Sequence, residues 1–206
     1  MPVRIGVLGG TFDPVHMGHL VIAEQCREQG RLARVLFIPA ARPPHKLERQ
    51  LTPWEQRVEM LKLACAGQPA FTVDELEKDR PGPSFTADTL TELHGRSEAD
   101  SLCLILGADC LPDLASWHEP ARIVAQAELL VIARPGWETW SAERLRSALA
   151  LPANQPLSMT IVESPALGIA SRELRARVRA GRTIRYLVPR AVECYIETHR
   201  LYTGGE

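Results

Sequence analysis

The chain has 206 residues, 45% of them apolar and 24% charged, with a formal net charge of −1. That size supports a substantial core, and that composition is ordinary for a globular enzyme, not for a fibrous, disordered or membrane-embedded chain. A charge so near zero argues against a generally basic nucleic-acid binder, so any anion site must be local.

Apolar runs of strand length alternate with amphipathic stretches along the chain. They predict strands near 3–8, 34–38, 71–74, 102–106, 128–132 and 159–163. Between them the pattern predicts helices near 17–29, 54–66, 86–94, 119–125 and 141–149. Thr52 and Pro53 read as a capping hydroxyl followed by a first-position proline for the second helix. The first, second, fourth and fifth runs are nearly continuous in Val, Leu, Ile and Phe, which suits strands covered on both faces. This alternation predicts an α/β fold: a doubly wound, mostly parallel sheet with ligands at the carboxyl ends of its strands. Residues 41–50, ARPPHKLERQ, carry two prolines and are expected to form a mobile loop.

Beyond Pro165 the chain is Arg-rich and mostly helical, with SRELRARVRA, a break at Gly181 and a closing helix from Pro189 to about Arg200. We expect residues 1–206 to form a single domain, with 165–206 as a helical C-terminal extension beside the ligand edge. The five cysteines, Cys26, Cys65, Cys103, Cys110 and Cys194, are scattered, odd in number and without a CxxC pair. They read as thiols in a reducing compartment, not as a disulfide framework or zinc site. No stretch is long enough to span a bilayer, and the first apolar run is too short for a secretory signal, so a soluble, cytoplasmic protein is expected.

The most informative segment is GGTFDPVHMGH, residues 9–19, directly after the first apolar run. Glycines at a strand end remove Cβ atoms where backbone must approach a ligand. The helix start that follows offers unpaired N–H groups to an anion. His16 and His19, three apart, fall on one helix face. They could be core histidines, or zinc ligands with Asp13 in a set lacking a fourth member. Phosphate donors fit best, because an imidazole beside polyphosphate can donate to oxygens whose charge grows in a transition state. A dinucleotide-binding fingerprint is excluded twice. The spacing Gly6-x-x-Gly9-Gly10 is not GxGxxG, and the second strand runs into basic AARPPHK where an acidic residue would be needed.

GGTFDPVHMGH resembles the GxFDxxHxGH motif of the HxGH nucleotidyltransferases. Along nearly its whole length the chain is similar to bacterial nicotinate-nucleotide adenylyltransferases, through GGTFDPVHMGHL, FIPAARPPHK, PSFTADTL, LILGADCLPDLASWHE, ARPG, IASRELR and RYLVP in that order. The resemblance implies transfer of the adenylyl group of ATP to nicotinate mononucleotide, with magnesium bridging the phosphates and few protein ligands to the metal. It implies His16, His19 and Lys46 as catalytic residues. ATP would meet Gly9, Gly10, Thr11, Phe12, the two histidines, Gly107, Ser171, Arg172 and Arg175. The mononucleotide would meet Asp13, Lys46, Thr86, Asp109, Trp117, His118 and Arg134. Among these, Trp117 would stack on the nicotinate ring, backbone N–H groups near Thr86 and His118 would receive its carboxylate, and Asp109 would meet a ribose.

One segment departs from the family pattern ISSTxIR: here it reads Ile169-Ala170-Ser171-Arg172-Glu173-Leu174-Arg175. Ser171, heading a helix, is expected to cap it and bind phosphate, and Arg172 to offset the two missing hydroxyls as a direct phosphate donor. Arg177, Arg179 and Arg182 read as a solvated basic face. Trp137 and Trp140 leave two readings open: a self-association patch on a homo-oligomer, or pins that hold their loop to the body. Three alternatives to the main functional reading also stand. They are a related transferase acting on nicotinamide mononucleotide, one acting on phosphopantetheine, and a nucleotide-binding regulator without turnover.

Overall fold

Six strands carry the apolar runs: Arg4–Gly10 (β1), Arg34–Pro39 (β2), Phe71–Val73 (β3), Ser101–Gly107 (β4), Ala127–Ile132 (β5) and Met159–Val162 (β6). They form one sheet in the order β3-β2-β1-β4-β5-β6 in this computed structural model, which describes residues 3–44, 51–97, 100–134 and 136–204. Every pairing within it is parallel; Val7, for instance, lies opposite Leu36 on one flank and Leu104 on the other. The helices are Met17–Gln29 (α1), Trp54–Cys65 (α2), Thr86–Arg96 (α3), Pro120–Gln126 (α4), Ala142–Ala148 (α5), Ser171–Arg179 (α6) and Arg190–Thr198 (α7).

The sheet is covered on both faces because its strands are apolar at consecutive positions, and alternate side chains point to opposite sides. Leu8, Val35, Phe37, Cys103, Ile105 and Leu130 face one side and pack with residues of α1, α2, α6 and α7, among them Ala23, Met60, Leu174 and Val192. Val7, Leu36, Ile38, Leu104, Leu106 and Val131 face the other and pack with α3, α4 and α5 through Leu90, Ile123 and Leu145. This is the doubly wound α/β architecture expected from the alternation, with boundaries within two residues of the expected ones.

Strand order reverses between β1 and β4, so the connections leave these neighbours in opposite directions and open a crevice beyond their carboxyl ends. Gly9, Gly10 and Gly107 stand at that edge. The C-terminal helices reach the same edge: Leu187 O accepts from Met17 N at 3.0 Å, and Ser171 Oγ donates to Pro14 O at 2.9 Å.

Two local expectations need correction. The second helix begins at Trp54, with Pro53 outside it at the cap position and no side-chain cap, so Thr52 does not cap it. Ser171 is the first residue inside α6, with Ala170 at the cap position, and its hydroxyl bonds to Pro14 instead of to the helix end. All five cysteines are free thiols. Burial pushes Cys26 and Cys65 up to about 12 and Cys103 to about 11, which leaves them protonated at neutral pH. Among the described residues no helix is long and apolar enough to cross a membrane.

Candidate active site

The site grows out of the turn between β1 and α1. A Cβ on Gly9 would meet nothing within 4 Å, whereas one on Gly10 would lie 2.9 Å from the Phe12 ring. The two glycines therefore differ in purpose: Gly9 keeps the crevice floor low, and Gly10 makes room for Phe12. Phe12 itself adopts a positive φ of 49° and is 2% exposed. Its ring meets His19 edge-on at 5.0 Å and backs onto Phe37 at 5.9 Å. Phe12 thus packs its buried ring between His19 and Phe37.

Asp13 is held by partners within the chain. Its carboxylate is buried and accepts from the Tyr202 hydroxyl at 2.8 Å, with Arg175 Nη1 3.9 Å away and donating to the Asp13 carbonyl. A buried carboxylate needs such partners, and here Arg175 of α6 and Tyr202, beyond α7, supply them. Burial and the neighbouring Asp13 charge push the Tyr202 phenol far above its ordinary range, so it remains a donor. Asp13 ties the motif loop to the extension; its side chain does not line the cavities described below.

His16 occupies the cap position of α1 and its ring stacks on His19 with centroids 3.7 Å apart and planes at 25°. The His16 backbone N–H donates to Nδ1 of His19 at 3.2 Å. With Nδ1 accepting, the proton of a neutral His19 ring sits on Nε2. Burial, and secondarily the charge of Arg134, brings His16 down to about 4, so the pair is not doubly charged at neutral pH.

A linkage prediction follows for the free protein. Between about pH 4 and 6.5 the unfolded chain protonates His16 and the folded one does not, so stability rises with pH across that window and levels off above it. The full difference is about 3 kcal/mol. His16→Asn should flatten that part of a Tm-versus-pH profile, and an unchanged slope would contradict it.

Gly18, between the two histidines, had no role assigned from the sequence. A Cβ there would lie 3.0 Å from Nδ1 and 3.1 Å from Cε1 of His16, a ring that stacking and burial hold in place. We expect Gly18→Ala to lower kcat/KM by about 10–100-fold through misplacement of the ring. Circular dichroism should meanwhile stay unchanged, and wild-type kinetics would refute the expectation.

Two cavities meet at His19. One, of about 280 Å³, is walled by Gly9, Thr86, Gly107, Trp117 and the ends of β1 and β4. The other, of about 620 Å³, is walled by His16, Trp137, residues 164–170, Ser171, Arg172 and Arg175. His19, Ile22 and Arg134 line both. A shallower region of about 330 Å³ continues from the first, past Trp117 and Thr86 to His118, whose ring stacks on Phe85 at 4.2 Å. Thr86 opens α3, so its backbone N–H has no partner within the helix.

Asp109 and Arg134 pair across the top of β4 and β5 at 3.3 Å. Gly107 lies beneath them, where a Cβ would collide with Asp109 and approach the Arg134 Nε to 2.9 Å. Lys46 lies outside the described residues. The structure therefore brings His16, His19, Gly9, Gly107, Thr86, Trp117 and Arg134 to connected cavities, with Ser171, Arg172 and Arg175 along the larger one. Thr11, Phe12 and Asp13 are not among the residues that line these two cavities. The two tryptophans of the β5–α5 loop separate: Trp140, half-buried, packs against the core under the Arg144 guanidinium at 4.3 Å, while Trp137 lines the larger cavity.

Arg57, in the first turn of α2, also had no role assigned from the sequence. It is 2% exposed and donates to three carbonyls: Thr11 at 2.7 Å, Ala40 at 3.0 Å and Thr52 at 3.0 Å. It fastens the motif loop, the end of β2 and the entry to α2 together.

Known proteins share this architecture. Residues 7–177 match the cytidylyltransferase-like family model. A probable nicotinate-nucleotide adenylyltransferase of Roseiflexus sp. (strain RS-1) is 48% identical, over 96% of this chain and 97% of its own length. A second, from Thermus thermophilus, is 47% identical over 97% of this chain and 100% of its own. The solved Plasmodium falciparum nicotinic acid mononucleotide adenylyltransferase complexed with NaAD superposes with a TM-score of 0.79 at 18% identity, covering 97% of each chain, which shows a shared fold. With nearly half its residues identical to such relatives over almost its entire length, the chain belongs to the nicotinate-nucleotide adenylyltransferase family.

Proposed function

We infer that this chain transfers the adenylyl group of ATP to nicotinate mononucleotide, giving nicotinate adenine dinucleotide and pyrophosphate. The observation that carries the reading is the junction: two cavities of nucleotide-fragment size share His19, Ile22 and Arg134. A phosphate monoester nucleophile entering from the smaller cavity can there meet the α-phosphorus of ATP entering from the larger.

The nucleophile needs no base, since its second pKa is near about 6 and it is largely dianionic at neutral pH. One oxygen of the mononucleotide phosphate forms a bond to the α-phosphorus. The bond from that phosphorus to the bridging oxygen breaks, and its electron pair leaves with pyrophosphate. The protein's part is alignment and charge neutralisation. The His19 Nε2–H supplies a donor that requires no proton transfer, and Arg134 supplies a positive charge at the junction. Ser171, Arg172 and Arg175 would receive the β- and γ-phosphates, and Lys46 would reach phosphate from the 41–50 loop. Trp117 would stack on the pyridine ring, with the Thr86 and His118 backbone N–H groups as the carboxylate's donors.

Magnesium would travel with the triphosphate. The residues at the junction do not make a protein ligand set for it, because the Asp13 carboxylate is committed to Tyr202 and that of Asp109 to Arg134. The group of potential metal ligands found among the described residues, Asp88, His118 and Glu119, lies away from the junction and is bridged by Arg122.

Pyrophosphate release, measured with ATP and each of nicotinate mononucleotide, nicotinamide mononucleotide and phosphopantetheine, tests the reading. Turnover is expected to be fastest with the acid mononucleotide. A preference for either other acceptor, or ATP binding without any pyrophosphate, would overturn it.

A further inference from the structure

Six polar or charged side chains are buried among the described residues. Asp13 and His16 belong to the motif loop, Arg57 fastens that loop, and Glu193 pairs with Arg190 at 2.6 Å. The other two, Glu77 and Thr89, pair with each other, and both line the smaller cavity. The Thr89 hydroxyl donates to Glu77 Oε1 at 2.5 Å, nearer than the Phe85 carbonyl at 3.2 Å. Arg80 Nη1 donates to the same hydroxyl at 2.8 Å, and its Nη2 donates to Glu92 at 2.7 Å. Glu77 Oε2 is buried with no hydrogen-bond partner among the described residues. A carboxylate satisfied at one oxygen only costs stability, and a well-packed apolar pair would serve the fold as well or better. What this pair supplies is a fixed position.

Glu77 and Arg80 belong to the segment between β3 and α3, whereas Thr89 lies in α3 three residues after Thr86, the first residue of that helix. The hub therefore sets how the start of α3, with the Thr86 N–H that has no partner within the helix, meets the smaller cavity. The ion pairs of Arg96 with Asp74 and of Arg122 with Asp88 also tie α3 to its neighbours, but they are partly exposed and constrain it less. A carboxylate at a helix N-terminus gains a charge-assisted hydrogen bond and the favourable end of the helix dipole; a carboxamide gains neither in full. That advantage needs the N–H held within about 0.5 Å of its productive place. We propose that Glu77, through Thr89 and Arg80, is a positioning residue that sets the preference for the acid mononucleotide over its amide. The proposal rests on the adenylyl-transfer reading above, and it adds the residues that hold the acid-recognising N–H in place.

Values of kcat/KM for nicotinate and for nicotinamide mononucleotide, each at saturating ATP, give an acid-over-amide ratio for the full chain. Thr89→Val removes the hydroxyl with little change of shape and is expected to lower that ratio about 10-fold, through a higher KM for the acid. KM for ATP should stay within about threefold of wild type. Thr89→Ser keeps the hydroxyl and Glu77→Gln keeps an acceptor for it, so both should hold the ratio to within about threefold. Glu77→Leu and Arg80→Met each withdraw one partner of the hub and should lower the ratio in the same direction, which keeps the test open if one variant fails to fold. An unchanged ratio in folded Thr89→Val, with only its Tm reduced, would make the pair purely structural and overturn the proposal. Equal losses for acid and amide would overturn it too. Failure of the underlying reading looks different: the wild-type chain would itself show no preference for the acid, or release no pyrophosphate.

Discussion

Replacing His19 by alanine is expected to lower kcat by about 10²–10³, or about 3–4 kcal/mol of transition-state stabilisation. KM for either nucleotide should move far less, because the donor acts on charge that develops only as the phosphorus becomes pentavalent. The placement of His19 supports this proposed role. It lines both cavities, Phe12 props it at 5.0 Å, and the His16 N–H fixes its tautomer at 3.2 Å. His16 lies deeper, at 6% exposure, and is stacked on His19, so His16→Ala should cost the same or less. Rapid-quench kinetics under saturating substrates would measure this. A His19→Ala enzyme with altered KM and intact kcat would show that the ring merely binds substrate.

The second large effect is on stability. Arg57→Met is expected to lower stability by about 3–5 kcal/mol, as for loss of a buried, fully engaged charged group. For a chain of this length that corresponds to a fall in Tm of about 6–20 °C by differential scanning calorimetry. The methylene stem would be matched by methionine, but carbonyls at Thr11, Ala40 and Thr52 would lose their shared donor. Arg57→Lys should recover only part of the loss, since an ammonium lacks the planar fork that spans three acceptors. A Tm within about 2 °C of wild type would mean that water or a neighbouring group satisfies those carbonyls.

Much of this is legible in the amino-acid sequence. The sheet could be read because strands buried on both faces are written as unbroken apolar runs, and the reversal of strand order places the glycine-ended first strand beside the crevice. The histidine pair could be read because a three-residue spacing on a helix start is a local pattern. What could not be read depends on contacts far apart in sequence. The acceptors of Arg57 are backbone carbonyls, which every residue possesses, so nothing in α2 distinguishes it from a solvated arginine. Asp13 sits inside the most informative motif, yet its partners Arg175 and Tyr202 arrive from the other end of the chain. Ser171 looks like a cap by composition, but its hydroxyl is claimed by Pro14. Trp137 and Trp140 are three apart and chemically identical, yet one lines a cavity and the other packs against the core.

The central claim is that the stacked imidazoles at the start of α1 stabilise phosphorus during transfer. Its most direct test is the single-turnover rate of pyrophosphate formation by the His16→Ala/His19→Ala double variant, with ATP, magnesium and nicotinate mononucleotide all saturating. A rate reduced at least as far as in His19→Ala alone, with ATP still bound, is the predicted result. A double variant that forms pyrophosphate at the wild-type rate would contradict the account.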